Sequence, residues 1–416
     1  MKKEGFISMT LVYTFLVVFL FLMLAILNTY VSKDKFLEAI NDQIDMDITK
    51  NNGKKDTLLS SILKDNTPSS LEIGNDMSKL SIRLFDISNS NSSNGSGLYY
   101  TTNPNITDEN SDGTTNRIYF FRGEIERNHL VYAGMCFRII RTNEDGSIRV
   151  RYNGQASTEG CKSQSKIVAS ASDGRSDASI GRSKWNDLSD SREYEGYVYT
   201  TGNPDELVAD ATNPHSKIKD ILDEWYLNNI INHVEGTKTV SYEGGIAQGI
   251  FCNDRTYGSK NIIPRFKSDE DHSVYNISNI TNEITYKCSL RDSFNVLSSV
   301  NGNKLLFYPV GTITAADVAF AGGYMTNESD KYKGGSKGMK NIGYYMYTGE
   351  DVWTMSPYGF EGNKAKMVYI DNEGILKATN VDAEHNIVPV ISLKATNIVK
   401  KGNGTPENPY IVEIGE

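Results

Sequence analysis

The strongest hydrophobic pattern of the chain lies at its beginning. Residues 5–32 contain no charged side chain, and at about 1.5 Å per helical residue they can cross a hydrocarbon core about 30 Å thick. A secretory signal peptide has a shorter apolar core, roughly 7–15 residues, that ends at a small-residue cleavage site. Residues 25–31 offer no good site of that kind. The pattern predicts an uncleaved transmembrane anchor over residues 1–32, with a removed signal peptide as the alternative.

The helical pattern continues after the apolar run and then fades. Phe36, Leu37, Ile40 and Ile44 fall on one face of a helix, as in an amphipathic helix. Residues 33–84 are therefore predicted to form a helical stalk that becomes irregular. Residues 85–115 are rich in Ser, Asn, Thr and Gly. Such a stretch has little to bury, which predicts a flexible linker.

From residue 116 to residue 416 the pattern is mainly that of short strands. Aromatic and β-branched residues in alternating runs favour antiparallel strands. The predicted strands are 118–121, 129–132, 136–140, 148–152, 344–347, 352–355, 366–370, 375–378 and 387–393. Ser216 can cap one helix, and the capping box Thr314-Ala-Ala-Asp317 begins another. Hairpin turns are expected at 143–146 and 371–374. Two helices among short strands predict an α+β head.

The cysteines indicate on which side of the membrane the head lies. The basic residues around the anchor are nearly balanced, so they do not decide the orientation alone. All four cysteines follow the anchor, and an even number suits two disulfides in an oxidising compartment. They are Cys136, Cys161, Cys252 and Cys288. Four buried thiols in a cytosolic protein are the alternative. We expect a single-pass cell-membrane protein with an extracellular head.

Four cysteines allow three pairings. Pairing between neighbours in sequence, Cys136 with Cys161 and Cys252 with Cys288, closes two loops of moderate length. Each of these segments reads as a strand that enters a polar loop. This pairing is the one predicted.

Composition and motifs exclude several functions. The net charge is −9 and the isoelectric point is about 5.3, which argues against a nucleic-acid partner. The sequence has no HExxH, CxxC or Walker motif, and no cofactor, metal or catalytic residue is predicted. A pair of catalytic carboxylates remains an alternative, because the chain has 52 acidic residues and nothing in the sequence singles out one pair. Trp185-Asn186-Asp187 matches a calcium-binding triplet of lectins, but it lies in mid-domain; we expect Trp185 to pack and Asp187 to be solvated.

A late aromatic cluster is the candidate ligand surface. Aromatic residues are favoured at recognition surfaces, since their rings provide contact area and their polar groups provide hydrogen bonds. The candidates are Tyr344, Tyr345, Tyr347, Trp353 and Tyr358. They are expected to bind a glycan, a cell-wall fragment or a surface protein. Burial of these rings in the sheet is the alternative.

The beginning of the chain resembles type IV pilins and pseudopilins. Basic residues lead to Gly5-Phe6, which resembles a prepilin peptidase site with cleavage between these two residues. A long apolar helix follows, as in that family. The family usually has a glutamate where Thr10 stands here, and Glu4 is unusual before the glycine. The resemblance covers about the first tenth of the chain and implies membrane insertion and pilin-like self-assembly.

The end of the chain resembles bacterial domains of the C-type-lectin-like fold. The matching segments are 314–322, 353–357 and 388–393, which resemble the closing elements of Fibrobacter-type surface-protein domains and, more distantly, formylglycine-generating-enzyme-like domains. Residues 402–412 resemble ends seen in Gram-positive surface proteins, and the whole is similar to surface proteins of Firmicutes. Formylglycine chemistry uses late cysteines, and none follows Cys288.

Taken together, these patterns predict a membrane-anchored bacterial cell-surface protein. It is expected to be a binding or structural module that catalyses no reaction. A minor pilin or pseudopilin of a type IV-like filament is one alternative. A cell-envelope hydrolase or modifying enzyme is the other.

Overall fold

The computed structural model describes residues 56–68, 72–73, 96–102, 117–143, 145–161, 178–198, 215–252, 286, 293–294, 306–325 and 343–415. Residues Thr57–Glu416 form one compact unit. The predicted anchor, the Gly5-Phe6 cleavage site and the amphipathic segment after the anchor lie outside the described residues. Within the described ranges, no helix is long and apolar enough to cross a membrane.

The described residues are mostly strands with a few short helices, which confirms the predicted α+β class. The α-helices are α1 (Leu58–Asp65), α2 (Lys217–Tyr226) and α3 (Ala315–Ala321). A π-helical turn, Leu227–Ile231, continues α2, and Arg192–Glu195 and Glu243–Gly245 are 3-10 turns. The strands are β1 (Glu72–Ile73), β2 (Gly97–Thr102), β3 (Arg117–Arg122), β4 (His129–Tyr132), β5 (Met135–Thr142), β6 (Ile148–Gln155), β7 (Arg182–Lys184), β8 (His233–Glu235), β9 (Lys238–Val240), β10 (Phe251–Cys252), β11 (Ser293–Phe294), β12 (Tyr324–Met325), β13 (Val352–Glu361), β14 (Lys364–Ile370), β15 (Ile375–Asn380), β16 (Glu384–Asn386), β17 (Val390–Leu393), β18 (Ile398–Lys401) and β19 (Tyr410–Glu413).

The larger sheet is built around the β5–β6 hairpin. Its strand order is β1-β2-β3-β5-β4-β19-β18, and β6 pairs with the other edge of β5 and with β17. The predicted hairpin turn is present: the Gly146 N–H donates to the Asn143 carbonyl at 3.0 Å, and Gly146 takes φ +78°. The last described strand, β19, runs parallel to β4 and lies between β4 and β18.

The smaller sheet has the order β12-β15-β14-β13-β16-β7. Its β14–β15 hairpin was predicted from residues 371–374. The Asp371 carboxylate accepts from the N–H groups of Glu373 and Ile375, at 2.9 and 2.8 Å. Gly374 takes φ +80°, which a residue with a side chain rarely adopts.

Both predicted helices are confirmed with their caps. The Ser216 hydroxyl accepts from the Lys219 N–H at the start of α2. At the start of α3, Thr314 and Asp317 form the complete capping box, and the helix ends at Gly322 with a left-handed φ of +114°.

The cysteine pairing is confirmed where the described residues reach it. Cys136 and Cys161 form a disulfide with a Cα–Cα distance of 5.8 Å. Cys252 is also disulfide-bonded. Its predicted partner, Cys288, lies outside the described residues.

The compact unit of the structure begins before the predicted boundary of the head at residue 116. Helix α1 comes from the predicted stalk, yet its Leu58 and Ile62 are buried in the core, and the Leu58 N–H donates to the Asn397 carbonyl at 2.7 Å. Strand β2 comes from the predicted linker, yet it pairs along its whole length with β3. The compact unit therefore begins at Thr57.

Two strand predictions are also corrected. Residues 344–347 form a turn, in which the Tyr347 N–H donates to the Tyr344 carbonyl at 3.1 Å. The expected strand 387–393 is shorter, because β17 begins only at Val390, directly after Pro389. Proline lacks an N–H for the ladder, so it is disfavoured inside a paired strand.

Candidate oxyanion site

The predicted aromatic surface lies mostly inside the protein. Trp353 has no exposed surface; its Nε1–H donates to the Ser183 carbonyl at 2.8 Å. Tyr344 is buried and donates its hydroxyl to the Gly374 carbonyl at 3.0 Å, and Tyr345 is 7% exposed. These three residues of the candidate ligand face therefore belong to the core.

The remaining two candidates, Tyr347 and Tyr358, are half-buried and pack against the core. The sequence spacing shows that five aromatic rings are close along the chain, but it does not show which side of β13 each one faces. The expectation for Trp185 is confirmed, because Trp185 has no exposed surface. The Asp187 side chain is 60% exposed and pairs with Lys217 at 3.1 Å, as expected for a solvated carboxylate.

Four arginines occupy the interior beside Tyr345. Arg138 and Arg141 lie on β5, and Arg149 and Arg151 lie on β6. Their exposed fractions are 6%, 6%, 1% and 1%, which is rare for arginine. We call these four residues the arginine cluster.

Strand register brings the arginine cluster together. Arg138 lies opposite Arg151, and Arg141 lies opposite Arg149. Residues directly opposite in an antiparallel pair share a face. Arg138 and Arg141 are three positions apart, so a regular strand would place them on opposite faces. A register shift between Ile139 and Arg141 returns Arg141 to the face of Arg138, as a β-bulge does.

The two arginines of β5 are held by fixed partners. Arg138 donates from Nε to the Asn128 side chain and from Nη2 to the Ile125 carbonyl, both at 2.6 Å. Arg141 donates from Nε to Asp317 at 3.1 Å. Among the described residues, the Arg141–Asp317 contact is the ion pair of the arginine cluster.

The two arginines of β6 differ in how they are held. Arg149 donates from Nη2 to the Ile250 carbonyl, and its Cζ lies 4.7 Å from the centre of the Phe251 ring. Arg151 donates from Nη1 to the Met346 carbonyl at 2.9 Å. Its Nε and Nη2 are buried and have no hydrogen-bond partner in the part of the chain that the structure describes.

Two buried tyrosines border the arginine cluster. The Tyr345 ring lies 5.3 Å from Cζ of Arg138, and the Tyr286 ring lies 4.4 Å from Cζ of Arg141. Tyr286 also stacks on Phe320 with ring centres 4.0 Å apart. The hydroxyls of both tyrosines are buried without a hydrogen-bond partner among the described residues.

Burial controls the protonation of these groups. It lowers the pKa of Arg138 to about 9 and that of Arg151 to about 10, so both guanidinium groups remain charged at neutral pH. Burial raises the pKa of Tyr345, as does the charge of Asp317, while the nearby arginines oppose the rise. The phenol therefore keeps its proton and can act as a donor.

This arrangement can bind an oxyanion. The Nε–H and Nη2–H groups of a guanidinium point in the same direction and match two oxygens of a carboxylate or phosphate. The alternating residues 148–152 predict a strand, but that pattern does not place the arginines of β6 beside those of β5. The cluster was missed because it depends on the bulge in β5 and on burial by distant segments.

Metal geometry among the described residues and comparisons with known proteins identify no further functional site or relative. Across the described ranges, no group of three or more His, Cys, Asp or Glu side chains is placed to hold a metal ion. No family model, no curated protein and no solved structure matches this chain. The function is therefore inferred from the fold and from the arginine cluster.

Proposed function

We propose that the protein is a membrane-anchored bacterial cell-surface module whose head binds a ligand and catalyses no reaction. Residues 5–32 anchor it in the cell membrane with the N-terminus inside. The head is extracellular, where its disulfides persist, since cytosolic thiols are kept reduced. The Cys136–Cys161 bond supports this location.

The observation that carries a binding role is the arginine cluster. Placing charged groups in a protein interior costs free energy unless opposite charges or hydrogen bonds compensate. The head keeps four buried guanidinium groups around one described ion pair, Arg141–Asp317. Two donors of Arg151 have no hydrogen-bond partner among the described residues. A preformed set of donors serves binding without any reacting group.

We also propose the finer fold class, a C-type-lectin-like domain similar to surface proteins of Firmicutes. Its support is the sequence resemblance of segments 314–322, 353–357 and 388–393. These segments supply α3, part of β13 and all of β17, and buried rings and aliphatic side chains of each lie in the core.

The test presents the purified full chain, oxidised and in detergent, to arrays of glycans and cell-wall fragments. We expect retention of at least one ligand, and recovery of that ligand unchanged. Reduction of the disulfides serves as the control and should weaken retention. Conversion of any envelope polymer would overturn the non-catalytic role and favour the hydrolase. Filaments on expressing cells would favour the minor pilin.

A further inference from the structure

We infer that Arg151 and Tyr345 form an oxyanion site, in which a carboxylate or phosphate group of the ligand binds the open Nε and Nη2 of Arg151 and accepts a hydrogen bond from the Tyr345 hydroxyl. This inference rests on the proposed binding function and names the chemistry of its ligand. It begins from a guanidinium group that is 1% exposed and has two unpartnered donors within the described residues.

Arg151 is fixed before any ligand binds. Its backbone lies between two paired strands, opposite Arg138 on one side and Val390 on the other. Its Nη1 is tied to the Met346 carbonyl at 2.9 Å. Little side-chain freedom remains to be lost on binding, so the two open donors are preorganised for a ligand.

The other arginines do not present the same pair of donors. Arg138 uses both Nε and Nη2 on Asn128 and Ile125. Arg141 uses Nε on Asp317, and Arg149 uses Nη2 on the Ile250 carbonyl. These three groups supply a positive surrounding, whereas Arg151 supplies the contact.

The surrounding charge favours an anion at this point. Arg138 and Arg151 are directly opposite in the sheet, and like charges in that position repel each other. An oxyanion at Arg151 would relieve this repulsion. Tyr345 contributes a neutral donor next to the same charges, since its hydroxyl is buried and unpartnered within the described residues.

The experiment measures the melting temperature of the full chain in detergent as inorganic phosphate or acetate replaces chloride at constant ionic strength. A ligand that binds only the folded state raises the melting temperature with its concentration. We expect a rise of a few degrees with at least one of the two anions. A larger rise with phosphate indicates a phosphate-bearing ligand, and a larger rise with acetate indicates a carboxylate.

Matched variants locate the effect. Arg151→Lys keeps the charge and loses the paired donors, so the rise should disappear. Tyr345→Phe keeps the ring and loses the hydroxyl, so the rise should shrink; it also serves if the lysine variant fails to fold. Arg182→Lys, at an exposed position of β7 outside the arginine cluster, should keep the rise.

Two results would overturn the inference. One is a rise that persists in Arg151→Lys and Tyr345→Phe, which would place the anion elsewhere. The other is a melting temperature that follows neither anion. If the melting temperature follows neither anion but the full chain still retains a cell-wall ligand on the arrays, the oxyanion site is wrong and the proposed binding function stands.

Discussion

At the scale of single residues, Asp317 joins the arginine cluster to helix α3. Its Oδ1 accepts from Arg141, while its Oδ2 accepts from the N–H and the hydroxyl of Thr314, both at 3.0 Å. At the other end of α3, Arg122 donates to the Phe320 carbonyl at 3.3 Å, where positive charge suits the helix dipole. One helix is thus held at both ends by arginines of the larger sheet.

The two roles of Asp317 can be separated by mutation. Asp317→Ala removes the cap and leaves Arg141 buried without its carboxylate, which should cost about 3–5 kcal/mol of unfolding free energy. Thr314→Ala removes the cap alone and should cost about 1 kcal/mol. Urea denaturation measures both. Equal losses would mean that the ion pair contributes nothing beyond the cap.

Trp353 should behave as a core residue. Trp353→Ala removes a fully buried ring that packs edge-on against Trp185, with ring centres 6.1 Å apart, and should cost about 3–5 kcal/mol. Tyr358→Phe, at a half-buried position of the same strand, should change stability little. Thermal melts compare the two. A Trp353→Ala variant with an unchanged melt and lost ligand binding would restore the predicted aromatic face.

His129 should make the head sensitive to mild acid. The ring is 1% exposed, and its Nδ1–H donates to the Glu126 carbonyl at 2.9 Å. Burial and then the charge of Arg138 lower its pKa to about 3, although the Glu126 hydrogen bond opposes this. An unfolded histidine binds its proton near pH 6.5, so stability should fall as the pH drops below that value toward 3.

The expected loss from His129 is about 2 kcal/mol between pH 7 and pH 5, at about 1.4 kcal/mol per pKa unit. Urea midpoints at the two pH values measure it. His129→Gln should reduce this pH dependence, and His215→Gln, at a partly exposed position beside Asp220, should keep it. Identical pH profiles for the native chain and His129→Gln would show that the buried imidazole does not control acid stability.

At the scale of elements, the head is completed by segments that precede its main run of strands. Helix α1 lies against the end of the chain: the Tyr410 hydroxyl donates to the Asp65 carboxylate at 3.0 Å, and Thr57 bridges to Ile398. Strand β2 extends the larger sheet beyond β3. Both elements cover apolar surface that strands β3 to β6 would otherwise expose to water.

A truncation tests these contributions. A chain that begins at residue 116 lacks α1 and β2, so it should aggregate or melt well below a chain that begins at residue 56. Circular dichroism melts and size-exclusion chromatography under oxidising conditions compare them. Equal, cooperative melts of two monomeric products would show that α1 and β2 are dispensable and that the boundary at 116 is the correct one.

Local chemistry explains which elements the sequence predicts. Helix caps and hairpin turns depend on neighbours a few residues away, so the sequence predicts them directly. The examples are the caps at Ser216 and Thr314 and the turns at Gly146 and Gly374. Helix α1 has a short apolar stripe, and its partner Tyr410 is 345 positions from Asp65. Such a pairing leaves no local signal.

The candidate site was hidden for a related reason. The sequence shows four arginines on two neighbouring strands, but a strand pattern alone does not reveal the bulge that aligns Arg141 with Arg149. It also does not show that Tyr345 leaves the predicted strand and joins a turn over the arginines. The sequence predicted Tyr345 on a ligand surface, and the structure places it in the core at 7% exposure.

At the scale of the whole molecule, the distribution of charge is uneven. The chain carries a net charge of −9, yet its larger sheet buries two cross-strand pairs of arginines. Residues 5–32 form an apolar run, and the head carries the Cys136–Cys161 disulfide. From these two features we propose that the head works on the outer side of the membrane.

Protease accessibility tests that claim most directly. The full chain is expressed in a Gram-positive host, and wall-free protoplasts are treated with protease before and after lysis, with a cytosolic protein as the internal control. We predict that intact protoplasts lose the head while the cytosolic protein survives, and that the released fragment keeps the Cys136–Cys161 bond. A head that is digested only after lysis, together with the cytosolic control, would contradict the proposed extracellular location of the head.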